Sequence, residues 1–194
     1  IDHLLDKVDC LLIGGAMAFT FLKAQGLAVG RSLVEAAHLE TATHALKRAR
    51  EKGVRLLLPV DAVAVEEIRD DAAARTIPVD SFPEEMRGVD LGPNTCRAFA
   101  GEIEKSRTII WNGPMGIFEM EPFAAGSREI AMAVASATAA GGVSIIGGGD
   151  TAAAVKQADL VDNMSHISTG GGASLECLSG RTLPGVAALT EKPE

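Results

Sequence analysis

Apolar runs alternate along this chain with stretches in which apolar and charged residues recur at helical spacing. Residues 1–8 place Leu4, Leu5 and Val8 on one side and Asp2, Asp6 and Lys7 on the other, which predicts a helix feeding an apolar strand over 10–13. Gly14-Gly15 ends that strand. Residues 16–25 predict the next helix, packed through Met17, Phe21 and Leu22 and stopped at Gly26. After a break at Gly30-Arg31-Ser32, Leu39, Ala42, Leu46 and Ala49 predict a long amphipathic helix over 33–52, terminated by Gly53. Residues 54–60 are almost unbroken aliphatic sequence, the pattern of a strand covered on both faces of a parallel sheet.

The region 61–90 is less regular. Its short β-like pieces, 62–65 and 76–79, are punctuated by Pro78 and Pro83 and predict an excursion at the rim. Leu91-Gly92-Pro93-Asn94-Thr95 then reads as a turn and helix cap, with a helix over 95–105 and a strand over 108–111. That strand ends in Asn112-Gly113-Pro114-Met115-Gly116, followed by Ile117-Phe118-Glu119 and, after the cap-like Gly126-Ser127, a helix over 130–140. A strand over 143–146 runs into Gly147-Gly148-Gly149-Asp150-Thr151, which opens a helix to about residue 158. A last short strand, 166–168, precedes Thr169-Gly170-Gly171-Gly172-Ala173-Ser174 and a further helix from Leu175. This alternation predicts an α/β domain with a parallel sheet and helices on both faces. In such a sheet every strand delivers its C-terminal loop to one edge, so the loops at Gly14, Asn112, Gly147 and Gly170 are expected to meet at one crevice.

The chain has 194 residues, enough for one substantial core, and its start at Ile1 suggests a piece of a longer protein. A formal net charge of −8 argues against general affinity for nucleic acid or acidic membrane, so an anionic ligand has to be held locally. Cys10, Cys96 and Cys177 lie far apart, in no metal or redox spacing, and suit reduced thiols in a cytoplasmic protein. The apolar run 130–140 is too short to span a bilayer.

Glycines allow close backbone approach, and the first amides of a helix carry the positive end of its dipole. The 147–151 junction therefore suits a phosphate, with Asp150 placed to hold a magnesium ion bridging phosphate oxygens. Such turns also occur without ligand, and Asp150 can serve as a cap. Gly147, Gly149 and Ala152 satisfy a dinucleotide fingerprint, yet Ser168 and Thr169 stand where that motif needs an acid after the next strand. Glu119 at an edge loop can accept from ribose hydroxyls or simply be an exposed glutamate. Asn112 can donate to a phosphoryl oxygen or simply form a turn. Trp111 is expected in the core, His166 as a packed histidine, and His3, His38 and His44 on the surface.

Taken together and in order, Gly14-Gly15-Ala16-Met17-Ala18-Phe19, Leu91-Gly92-Pro93, Trp111-Asn112-Gly113-Pro114-Met115-Gly116 with Phe118-Glu119, Gly147-Gly148-Gly149-Asp150-Thr151, Ser168-Thr169-Gly170-Gly171-Gly172-Ala173-Ser174 and Leu183-Pro184-Gly185-Val186 resemble the C-terminal, nucleotide-binding half of phosphoglycerate kinase. The resemblance covers nearly all of 1–194. It implies a Rossmann-like three-layer αβα domain with a mostly parallel sheet, six-stranded in the family, of which about five strands are expected here. It also implies transfer of a phosphoryl group between ATP and 3-phosphoglycerate, a glycolytic step, with Mg2+ accompanying ATP or ADP. By motif match, Gly14, Gly15 and Gly92 line an adenine slot, Glu119 takes the ribose, and the loop of Asn112, Gly113, Pro114 and Gly116 also binds the nucleotide. Asp150 positions the metal, and Gly148, Gly149 and Thr151 meet the phosphates. Asn112, Gly149 and Gly171, within the loop 170–172, face the moving group. The family's first strand of this half, its nucleotide-binding lysines and its phosphoglycerate-binding domain have no counterpart in these residues. The chain alone is therefore expected to be inactive, while the full-length family is typically monomeric.

Overall fold

A computed structural model describes residues 1–168 together with 170, 176, 179–181, 183, 187 and 188. Five strands run in parallel pairs. β1 (Cys10–Leu12) pairs with β2 (Arg55–Leu57), and β6 (Thr108–Asn112), β7 (Val143–Gly147) and β8 (His166–Ser168) form a second sheet in that order. The parallel strands are joined through α1 (Gly15–Ala24), α2 (Leu39–Lys52), α4 (Ala125–Ala139) and α5 (Gly149–Gln157), as the alternation predicts for a Rossmann-like αβα architecture.

The region 61–90 differs from its expectation. It contains a three-stranded antiparallel sheet in the order β4 (Arg75–Pro78), β3 (Asp61–Val65), β5 (Arg87–Leu91). Prolines at 78 and 83 sit at its periphery, where no ladder donor is needed. The third strand escapes a pattern reading because Arg87, Gly88 and Asp90 interrupt its apolar sequence. Two predicted helices also contract. Residues 1–8 make only a single 3-10 turn at Leu4–Asp6, and α2 begins at Leu39 after a separate 3-10 turn at Ala36–His38. The strand expected over 54–60 is three residues long and half-buried, not covered on both faces. The helix expected from Leu175 lies outside the described residues.

Small side chains set the packing. Ala18 and Phe21 of α1 meet Ala42, Ala45 and Ala49 of α2 above β1, while Phe19 and Leu22 on the other side of α1 pack on the antiparallel sheet through Ala62 and Ala64, beside Met86 just ahead of β5. One face of the β6–β8 sheet, with Ile109, Trp111 and Ile146, is closed by Phe99 of α3 (Pro93–Ile103), Ile130 and Val134 of α4, and Val155 of α5. Trp111 is buried as expected, and its indole N–H donates to the Gly113 carbonyl at 2.7 Å, which starts the loop beyond β6. On the other face Ile110 and Val143 remain about half exposed.

Candidate functional site

The carboxyl ends of β6, β7 and β8 are in register, with Asn112 opposite Gly147 and Gly147 opposite Ser168. This brings the loops after β6 and β7 side by side. A methyl group built on Gly148 would lie 3.7 Å from Asn112 Nδ2 and 3.6 Å from Thr151 Oγ1, ordinary contact distances that place the turn directly beside both side chains. Gly148 itself sits at φ +91°, a conformation that side chains disfavour. Thr151 is buried, and its hydroxyl oxygen accepts the Gly113 N–H at 2.7 Å, tying the first turn of α5 to the loop after β6. The Thr151 side chain thus acts inside the scaffold, and what it presents to the edge is backbone.

The loop after β1 arrives at the same place. Gly15, at φ +60°, approaches so closely that a Cβ would stand 2.8 Å from the Pro114 carbonyl, and a Cβ on Gly14 would collide with Met115 Sδ. Leu91, at the end of β5, lies against Gly14 too. Gly14, Gly15, Asn112, Gly113, Pro114, Gly148, Gly149, Asp150 and Thr151 therefore form one cluster, as the shared-edge argument requires of the loops at Gly14, Asn112 and Gly147, while most of the loop at Gly170 lies outside the described residues. Gly92 is buried beside it and leads into α3, where any side chain would strike the Asp61 carboxylate. Gly116 lies further along the loop, pressed against Asp90, and Glu119 is exposed three residues on. Gly171 and Gly172 lie outside the described residues. His166, expected to be packed, is exposed, as are His3, His38 and His44.

α2 follows a 3-10 turn and starts after His38 without a side-chain cap, and the other four helix N-termini divide into two kinds. α3 and α4 are capped by buried carboxylates from neighbouring strands. Asp61 accepts from the Asn94 and Thr95 amides at 3.0 and 2.8 Å, and Asp90 accepts from the Gly126 amide at 2.7 Å. α1 and α5 begin at Gly14 and Gly148 with no side-chain cap. Their first turns lie at the edge where the glycine loops meet, an arrangement of amides and dipoles that favours negative charge. Neither Asp61 nor Asp90 is apparent as a site residue in the sequence. Each is one aspartate among many until the topology places it under a helix.

Among the described residues no group of three or more His, Cys, Asp or Glu side chains is arranged to hold a metal ion. Asp150, exposed in the first turn of α5, is a lone carboxylate. That donor set fits a magnesium ion whose remaining ligands are phosphate oxygens and water, and does not fit an all-protein metal cage. An open recess of about 460 Å³ between α1 and α2, lined by Lys23, Leu39, His44 and Lys47, lies at the far end of α1 from Gly14 and is separate from this cluster.

The phosphoglycerate kinase family model matches residues 1–181. The chain is 56% identical over 191 residues to a phosphoglycerate kinase of Prosthecochloris aestuarii, covering 98% of the chain and 48% of that protein. It is 54% identical, with the same coverage, to a cytosolic phosphoglycerate kinase of Triticum aestivum. Among solved structures it resembles the phosphoglycerate kinase of Coxiella burnetii, with a TM-score of 0.91 and 46% identity over 96% of this chain and 47% of that one. The enzyme from Pyrococcus horikoshii matches with a TM-score of 0.81, 30% identity and similar coverage. The chain spans about half the length of the relatives it matches. With its fold, its converging glycine loops and a family match over nearly its whole length, the chain belongs to the phosphoglycerate kinase family.

Proposed function

We propose that these residues form the nucleotide side of a phosphoglycerate kinase, and that the whole protein transfers a phosphoryl group between ATP and 3-phosphoglycerate, interconverting 1,3-bisphosphoglycerate with ADP and 3-phosphoglycerate with ATP. The observation that carries this reading is the start of α5, which opens at Gly148 without a side-chain cap and directly beside Asn112. The amides of Gly149, Asp150 and Thr151 receive phosphate oxygens, and Asp150 holds Mg2+, which supplies charge neutralisation between phosphates when bound. Asn112 donates to the transferring group, with Gly149 and, from the following loop, Gly171 on its other side. Glu119 accepts from the ribose hydroxyls, and Gly14, Gly15 and Gly92 leave room for adenine. Gly113, Pro114 and Gly116 carry the chain between these points.

Phosphoryl transfer asks for position and charge stabilisation more than for a reactive side chain, and fixed backbone amides on a packed scaffold supply both. Phosphoglycerate is held by parts of the protein beyond these residues, so this chain alone is inactive as a kinase. A cytoplasmic monomer is the whole-protein state that this reading carries. A second reading is a folded fragment or interaction module without useful nucleotide affinity. It is favoured by the separation of β1 and β2 from β6, β7 and β8 into two sheets, which leaves the floor of the site in two parts.

Calorimetric titration with ADP decides between them, with and without magnesium and with NAD as comparator. Magnesium-dependent binding of ADP but not NAD is expected. Asp150→Asn should weaken it by about tenfold or more, the worth of a lost charge contact, while leaving the unfolding temperature nearly unchanged. Folded protein that ignores ADP would establish the second reading, and unaltered affinity in the variant would remove Asp150 from the metal.

A further inference from the structure

Asp90 is buried to 4% exposure where three elements meet: its own strand β5, the loop after β6 and the start of α4. Its Oδ1 accepts the Leu91 N–H at 2.8 Å and its Oδ2 accepts the Gly126 N–H at 2.7 Å. A methyl group on either Gly116 or Gly126 would collide with Oδ1, so both glycines are there to let backbone close on the carboxylate. The same loop is pinned on either side. Met115 N–H donates to the buried Ser127 hydroxyl at 2.9 Å, and Ile117 N–H donates to the Val89 carbonyl at 2.9 Å. Asp90 thus sits under the midpoint of the segment running from Asn112 to Glu119, without reaching the edge itself.

We propose that Asp90 is a positioning residue for the ligand loop 113–119, its carboxylate acting as the seat on which Gly116 and the start of α4 close. This rests on the proposed nucleotide reading for what the loop then does, though the seat itself is a property of the fold. The groups around Asp90 make it sensitive to pH. From α4 it meets Glu129, an exposed side chain whose charge opposes its own, while the neighbouring Arg128 is paired with Glu121. From α3 it faces the Cys96 thiol, kept neutral because burial and nearby carboxylates push it up to about 12. Val63 lies opposite on β3. Burial, reinforced by Glu129, pushes Asp90 up to about 7 against the pull of the Gly126 and Leu91 amides. The carboxylate accepts both amides. Once protonated, one oxygen becomes a donor and one seat contact weakens. The loop should therefore be best seated above neutral pH.

The test is a ligand-free NMR titration of the amides of Gly116, Ile117 and Gly126 between pH 5 and 9. A shared midpoint near 7 is expected in the protein and absent in Asp90→Asn. Glu129→Gln, which touches neither the loop nor the amides, should move that midpoint down and covers the case in which Asp90→Asn does not fold. Amides that do not titrate, or a midpoint unmoved by Glu129→Gln, would overturn the proposal. In parallel, ADP affinity of Asp90→Asn should be about tenfold weaker than that of the parent at pH 8.5, about the worth of one charge-assisted hydrogen bond, and within about twofold at pH 5.5. If the parent protein does not bind ADP at all, the nucleotide reading fails while the amide titration still decides the role of Asp90. If ADP binds and Asp90→Asn binds it equally at both pH values, the seat does not set the loop.

Discussion

Two buried aspartates do unlike work under two helices. Asp61 and Thr95 are almost fully enclosed, and Thr95 Oγ1 accepts the Val60 and Asp61 amides at 3.0 Å each while its proton faces Asp61 oxygens at 2.7 and 2.8 Å. One hydroxyl thus joins the end of β2's connection, the start of β3 and the first turn of α3. Thr95→Val keeps the shape but strands the buried Asp61 amide and frees the partly buried Val60 amide, a loss of roughly 1–3 kcal/mol. Denaturant unfolding should report that drop, and Thr95→Ser should recover most of it. At Asp90 burial makes the charge itself costly. Its value is about 7 in the fold against 3.8 as its ordinary value, so the folded protein holds that proton more tightly. Its contribution to stability is complete below about pH 3.8 and is lost as pH rises through about 7. Stability therefore falls over the same interval in which the loop becomes better seated, a trade of folding free energy for site geometry of the kind common at functional sites.

At the scale of elements, the start of α5 separates the backbone's needs from the ligand's. Gly148 lies at φ +91°, whereas a Cβ on Gly149 meets nothing within 4 Å. Gly148→Ala should thus cost about 1–2 kcal/mol through strain alone. Gly149→Ala, inside a helix and free of contacts, should raise stability by up to about 1 kcal/mol yet weaken ADP binding, since its methyl enters the space assigned to phosphate. Thermal unfolding and calorimetry on both variants check the pair, and equal ADP affinity in Gly149→Ala would move the phosphates elsewhere. The glycine turn after β7 was legible in the sequence because strand, glycines and helix are contiguous there. The same holds for β1, β6, β7 and α1, whose periodicities are uninterrupted. The antiparallel sheet was not, since β5 mixes Arg87, Gly88 and Asp90 with only two apolar residues and owes its strand form to pairing with β3 across a bulge between Val63 and Ala64. Residues 1–8 had helical spacing too, but a single turn packed through Leu5 is all that forms, because periodicity states which face is apolar and not how long the hydrogen-bonded run will be.

Across the whole molecule, the β1–β2 sheet and the β6–β7–β8 sheet contribute side chains to one core yet share no ladder. Leu12 and Leu57 pack against the cluster containing Ile109, Trp111 and Ile146, and the loops after β1 and β6 touch at Gly15 and Pro114. β1 and β6 each have a single hydrogen-bonded neighbour among the described strands, which leaves backbone donors and acceptors along both of their other edges. A parallel strand entering between them would satisfy both edges and join five strands into a continuous sheet of six. It would also fix the loop after β1 relative to the loop after β6, and so the distance from the adenine side of the proposed site to its phosphate side. We expect an extended protein, carrying the segment that precedes these residues in relatives, to protect the β1 and β6 amides from hydrogen exchange by a factor of 100 or more, about the effect of 2–3 kcal/mol of local stability. ADP affinity should rise in the same protein. Protection without a gain in affinity would mean that the two loops are already correctly spaced, so that the site depends on the local turns alone. A gain in affinity without protection of β6 would place the added segment over the site as a source of ligand contacts and not within the sheet.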